Sequence, residues 1–138
     1  MSTTDELRGL AEQYTAAWCS QDAASVASFY SPRGSLRINQ GPPAIGRAAI
    51  TAAVQEFMTA FPDLKVFMDG LSVKEGRTVY RWTFVGTHTG PGGTGNRVQT
   101  SGFEDWRIGA DGLIAESSGH FDATEYQRQL SQGVNDSG

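Results

Sequence analysis

The sequence has one cysteine, two histidines and five prolines, and no apolar run approaching the ~20 residues that cross a bilayer. Each scarcity excludes something. Cys19 has no partner within the chain, so no internal disulfide forms, which fits a reducing compartment; the expected location is the cytoplasm. A zinc site needs several nitrogen or sulfur ligands at defined spacing, which so few histidines and cysteines do not supply, so neither a metal nor another cofactor is expected. Positive charge is also short. Eleven Lys and Arg face fifteen Asp and Glu, the net charge is −4, and the cations are scattered, so there is no electrostatic footprint for nucleic acid. The opening MSTTDEL is polar and acidic where a signal peptide would be basic and then apolar. No membrane partner is expected.

What is present suits one globular domain spanning residues 1–138. A chain of this length buries roughly two-thirds of its unfolded surface, and 38% hydrophobic with 19% charged residues is too apolar for disorder. Leu7, Leu10, Ala11, Tyr14, Ala17 and Trp18 recur at helical spacing, and Thr3 with Glu6 has the spacing of a capping box. A short second helix follows, with Asp22 as N-cap and Val26, Phe29 and Tyr30 on its buried face; Ser31-Pro32-Arg33-Gly34 should stop it. Ser35 to Asn39 reads as a short strand. A third helix runs from about Arg47 to Ala60, striped by Ile50, Ala53, Val54, Phe57, Met58 and Phe61 and ended by Pro62.

Beyond Pro62 the period changes to that of strands, over 64–73, 78–88, 97–108 and 113–121, followed by a last helix capped by Asp122 with Glu125 three residues on. The glycine-rich loop 89–96 between two strands is expected to be a flap over a pocket mouth or a long hairpin connection. Segregated helices and antiparallel strands predict an α+β fold with helices on one sheet face and a ligand cavity between the layers. The core should run from about 5 to 131, with a short flexible tail after it.

The stretches YTAAWCSQD (14–22), GPPAIGRAAI (41–50), GTHTG (86–90), DGLIAE (111–116) and FDATEYQRQL (121–130) resemble the SnoaL-like polyketide cyclase family. That group lies within the nuclear transport factor 2-like superfamily, whose relatives include ketosteroid isomerase and limonene epoxide hydrolase. The resemblance implies a cone-shaped, cystatin-like fold in which a curved, mixed sheet holds three helices in its concavity. It also implies acid–base chemistry, of a lyase or isomerase type, on an apolar ketone-type substrate. A non-catalytic binding module and an epoxide hydrolase-like hydrolase are the alternatives that the same fold allows.

Carried over residue by residue, the resemblance sets Tyr14 where the isomerases place the tyrosine that donates to the substrate oxygen, and Glu104 near their second acid, a pair that is itself a worked example of pKa tuning. Their general base falls near Ile38, which takes no proton. Asn39 and Arg81 resemble the asparagine and arginine of the hydrolases, but Thr83 and Gly119 stand where the two aspartates would be, and Gly119 also falls where the cyclases carry theirs.

The residues themselves supply further expectations. Glu104 and Asp105 point to opposite faces of their strand, and Trp106 and Ile108 share the face of Glu104, so Glu104 should face inward with a raised pKa, as acid or base or as an ion-pair partner of Arg81 or Arg97. Arg81, within VYRWTFV, should either hold a substrate oxyanion or pair with Glu104. Tyr14 is either a donor to substrate or a core residue. His120 is a candidate general base. Asp122 is a candidate for catalysis and, more simply, a helix cap. Trp18, Asn39, Phe57, Phe61, Thr83 and Trp106 are the candidate substrate-binding residues. Tyr80 and Trp82 are expected on the convex sheet face, where an aromatic surface would support a homodimer.

Overall fold

The computed structural model describes residues 3–133. Part of the tail expected after residue 131 therefore lies outside the described residues. Four helices and six strands follow one another as α1 (Thr4–Cys19), α2 (Ala23–Ala27), β1 (Tyr30–Ile38), β2 (Ala44–Ile45), α3 (Arg47–Ala60), β3 (Lys65–Lys74), β4 (Arg77–Thr87), β5 (Arg97–Ile108), β6 (Ile114–Phe121) and α4 (Ala123–Gln132).

The helix starts follow from their caps. Thr3 accepts from the Glu6 amide while Glu6 reaches back to the Thr3 amide, a complete capping box. Asp22 and Asp122 accept from the amides three residues on, opening α2 and α4. Glu125 does not close the second box; its carboxylate turns to Arg128 and Gln129 instead. The second helix is shorter than its apolar spacing suggests. It ends at Ala27, and Tyr30, expected on its buried face, already begins β1. Ser31-Pro32-Arg33-Gly34, expected as a stop, forms an irregular stretch within that strand, where the register against β6 shifts between Tyr30 and Ser35.

One six-stranded sheet runs in the order β2-β1-β6-β5-β4-β3. Only the β1–β6 pair is parallel; the other neighbours are antiparallel. Register shifts at Met68/Gly70 and Arg107/Ile108 add bends of the kind a bulge introduces. Helix α1 packs on β3, α3 on β1 and α4 on β5. Between the layers lie two apolar clusters, one around Tyr14, Tyr30, Tyr80 and Trp106, the other around Phe61, Leu64, Phe84 and Val98. Among the described residues no helix is long and apolar enough to cross a membrane.

The loop 89–96 is a hairpin connection. Gly90 donates its amide to the Ala60 carbonyl at the end of α3, and a Cβ there would collide with the Thr59 backbone.

Candidate functional site

A cavity of about 70 Å³ opens between the sheet and the helices. Strand alternation decides its walls. Tyr80, Trp82 and Phe84 face it from β4, Thr100 and Glu104 from β5, Gly119 and Phe121 from β6, and Leu36 and Ile38 from β1. Val66 closes the β3 side. Trp18 of α1, Phe57 of α3 and Tyr126 of α4 complete a wall that is almost wholly apolar.

Among the described residues that line the cavity, Glu104 is the one carboxyl. Its side chain is buried, with 8% exposure, and lies on the cavity wall. Oε1 accepts from Trp106 Nε1 at 2.9 Å, Ser117 Oγ at 2.8 Å and the Tyr14 hydroxyl at 3.0 Å. Oε2 has only the longer 3.3 Å approach of that same hydroxyl. Three donors saturate Oε1, so a proton on this carboxyl belongs on Oε2, the oxygen with free capacity. Burial pushes the Glu104 carboxyl above its ordinary value of 4.5, and the bonds from Trp106, Ser117 and Tyr14 oppose that rise without cancelling it.

Tyr14 has one proton and gives it to Glu104, so its 3.0 Å bond with the Tyr30 hydroxyl must run from Tyr30 to Tyr14. Burial holds both phenols well above their ordinary value, so they stay protonated donors. Tyr80 points its hydroxyl at Thr15 Oγ1, whose own proton goes to the Ala11 carbonyl, so Tyr80 donates there and gives the cavity only its ring.

Of the residues singled out from the sequence, Glu104, Trp18 and Phe57 line this cavity. Tyr14 and Trp106 lie behind Glu104, fully buried, as its donors. Phe61 is buried in the second apolar cluster beside Phe84.

The rest lie elsewhere. Arg81 is on the outer sheet face, its guanidinium bonded to Ser72 and lying over Gly70, where a Cβ would come within 2.5 Å of it. The expected Arg81–Glu104 pair is impossible because the two side chains leave the sheet on opposite sides. Thr83 is outward too, bonded to Asp69 and Ser101. His120 stacks on Phe103 outside the sheet, with ring centres 4.9 Å apart. Asp122 caps α4 and is exposed. Asn39 has a left-handed backbone (φ 52) and works as a strand clasp: its amide donates to the Gly119 carbonyl at 2.7 Å and its Oδ1 accepts from the Phe121 amide at 3.0 Å. None of residues 89–96 lines the cavity.

Tyr80 and Trp82, expected on the convex face, are cavity walls. The exposed aromatics of the outer face are Phe67 and Phe103. The misplacement has one source. An inward Arg81 puts its neighbours outward, and a strand read one residue out of step exchanges every side chain between faces. The cross-strand register corrects it: Tyr80 lies opposite Glu104 in the β4–β5 pair, so both share the inward face. Thr100, Phe121 and Tyr126 carried no signal in the sequence.

At Gly119 a Cβ would meet nothing closer than the Arg37 carbonyl at 3.5 Å and Glu104 Cγ at 3.7 Å, so the missing side chain leaves real space beside the acid. Among the described residues no three His, Cys, Asp or Glu side chains gather to hold a metal.

A family model for the SnoaL-like polyketide cyclases matches residues 8–130. Among solved structures, TsrD from Streptomyces laurentii superposes with a TM-score of 0.81 at 25% identity, over 94% of this chain and 98% of that one. A hypothetical protein with a ketosteroid isomerase-like fold from Catenulispora acidiphila, solved with trimethylamine, gives 0.77 at 12% identity over 98% of each chain. An NTF2-like protein of unknown function from Burkholderia pseudomallei gives 0.78 at 17% identity over 95% of this chain and 99% of that one. No curated protein sequence matches.

Proposed function

The chain belongs to the SnoaL-like polyketide cyclase family, and from that premise we propose that its cavity binds an apolar ketone-type small molecule and that Glu104 exchanges a proton with it. The observation that carries this reading is a single carboxyl, buried and held by three donors, on the wall of a mostly apolar cavity. A proton-transfer group works best when its pKa lies near the operating pH, and burial moves this one upward in that direction. As a carboxylate, Glu104 takes the proton from the carbon next to the ligand carbonyl through Oε2; the C–H pair becomes the enolate. As the resulting acid, it returns that proton to carbon. Tyr14, Trp106 and Ser117 hold Oε1 still and do not touch the ligand.

The test is solvent deuterium exchange into a bound ketone such as α-tetralone, followed by proton NMR. The wild-type chain should accelerate exchange next to the carbonyl, with a rate that rises with pH through the Glu104 pKa and then levels. Glu104→Gln should bind the ketone as well as wild type and exchange nothing, since a glutamine amide reproduces the protonated acid: its oxygen accepts the three donors and its nitrogen donates from the Oε2 position. Unchanged exchange in Glu104→Gln would sink the assignment.

A second reading has its own support. Among the described residues lining the cavity, no other carboxylate or histidine is present to complement Glu104. A protein that binds without turnover would show affinity for the ketone and no exchange in either form.

A further inference from the structure

Among the described residues, two buried side-chain polar atoms lack any hydrogen-bond partner: the Trp82 indole nitrogen and the Thr100 hydroxyl oxygen. Both residues line the cavity that contains Glu104. Buried polar groups without a partner are uncommon in folded proteins, because each forfeits the hydrogen bonds it made with water. Two orphans on one wall of one pocket therefore ask for a common explanation. Two other buried polar side chains are matched: Ser117 of β6 donates to Glu104, and Gln129 of α4 accepts from the Gln99 amide.

Their placement limits what can satisfy them. Thr100 and Glu104 lie four residues apart on the inward face of β5, so their backbones are about 13 Å apart. Trp82 stands opposite Gly102, midway between them. The missing side chain at Gly102 lets the indole lie across the sheet, since a Cβ there would come within 2.9 Å of Trp82 Cζ2. One carbonyl cannot reach from Glu104 to Thr100. A ligand that engages Glu104 with one oxygen needs a second oxygen to meet the orphans.

We propose that Trp82 and Thr100 form a second polar subsite, and that the ligand is a dioxygenated apolar molecule: a carbonyl at Glu104 and, several ångströms away, a ketone or hydroxyl oxygen that accepts from the Trp82 N–H and bonds the Thr100 hydroxyl. The proposal rests on the ketone-binding reading above and narrows its ligand class. The indole N–H is only a donor, so the second function must be an acceptor. The Thr100 hydroxyl can donate or accept, so it tolerates either a ketone or a hydroxyl there. Neither residue is asked to move a proton; both set which ligand is held and in which direction.

The experiment compares binding of α-tetralone with that of its ring-hydroxylated isomers, by calorimetry, in wild type, Trp82→Phe and Thr100→Val. Thr100→Val keeps the shape of the side chain, Trp82→Phe keeps an aromatic ring in a smaller volume, and each deletes the orphan. Wild type should prefer at least one hydroxylated isomer by about tenfold, the worth of an ordinary buried hydrogen bond. Each variant should lose most of that preference, read within the same variant as the ratio of its affinity for the hydroxylated isomer to its affinity for α-tetralone. Thr100→Val, which deletes an unpaired hydroxyl, should also melt no lower than wild type without ligand.

If α-tetralone binds and no isomer is preferred, or the preference survives in both variants, the subsite is wrong and the ketone pocket stands. If nothing in the series binds to wild type, the pocket reading itself fails. Should the orphans be served only by trapped water, both variants would bind every probe with unchanged ratios, which also overturns the subsite.

Discussion

Strand β4 sends Tyr80, Trp82 and Phe84 into the cavity and Arg81, Thr83 and Val85 to the outside, while β5 sends Thr100 and Glu104 inward and Ser101, Phe103 and Asp105 outward. The same two strands therefore carry two kinds of polar group. Outward, Thr83 shares its hydroxyl with Asp69 and Ser101, and Asp105 meets Arg77 at 3.0 Å, all beside water that can replace any of them. Inward, Glu104 takes three donors on one oxygen, while the Trp82 N–H and the Thr100 hydroxyl have no partner. Water forgives the outer face. Nothing forgives the inner one, so its polar groups are either fully matched or waiting for a ligand.

That contrast can be broken most severely at Glu104. Glu104→Leu strips the acceptor from Trp106, Ser117 and Tyr14 at once and should cost on the order of 3 kcal/mol in urea unfolding, since each stranded donor forfeits its desolvation. A loss below ~1 kcal/mol would mean that these donors find water and that the inner face is as tolerant as the outer.

A subtler break comes from pH. Glu104 has a folded pKa raised above its ordinary 4.5, so the folded state holds the proton more tightly than the unfolded chain. Its contribution to stability is full below pH 4.5 and is lost as pH rises from there through the folded value. Glu104→Gln removes this dependence, so the difference in stability between variant and wild type should grow in favour of the variant across that window. A constant difference from acid to neutral pH would show that burial does not perturb this carboxyl.

The smallest effect belongs outside. Arg81→Ala and Thr83→Val should each change stability by no more than about 0.5 kcal/mol and leave ketone affinity untouched, as expected of exposed substitutions. A clear loss of affinity in Arg81→Ala would reconnect the two faces and restore the role its mid-strand position suggested.

Much of the architecture was legible because period and punctuation are local. The capping box at Thr3, the caps at Asp22 and Asp122 and the switch to strands after Pro62 can each be seen within a few residues, and each places an element correctly to within a few positions. The brief β2, and the start of β1 at Tyr30, escaped because pairing with distant residues, not local pattern, creates them. In the site, Glu104 was legible from its apolar neighbours Trp106 and Ile108. Arg81 and His120 were misplaced because chemical suggestiveness outweighed alternation, and a side chain that looks reactive says nothing about the face it occupies. The orphans at Trp82 and Thr100 had no sequence signature; an absent partner exists only in three dimensions.

Asn39 has a consequence for time. By tying its amide to Gly119 and its side chain to the Phe121 amide, it fastens the end of β1 to β6 beside Ile38 and Phe121, two residues of the cavity wall. That side is a fixed jamb. The opposite side is made by half-buried rings on helices, Trp18, Phe57 and Tyr126, whose reorientation is a side-chain event. A ligand's arrival should then wait on ring rotation and not on the slower rearrangement of a backbone lid, which makes its capture a rapid single step.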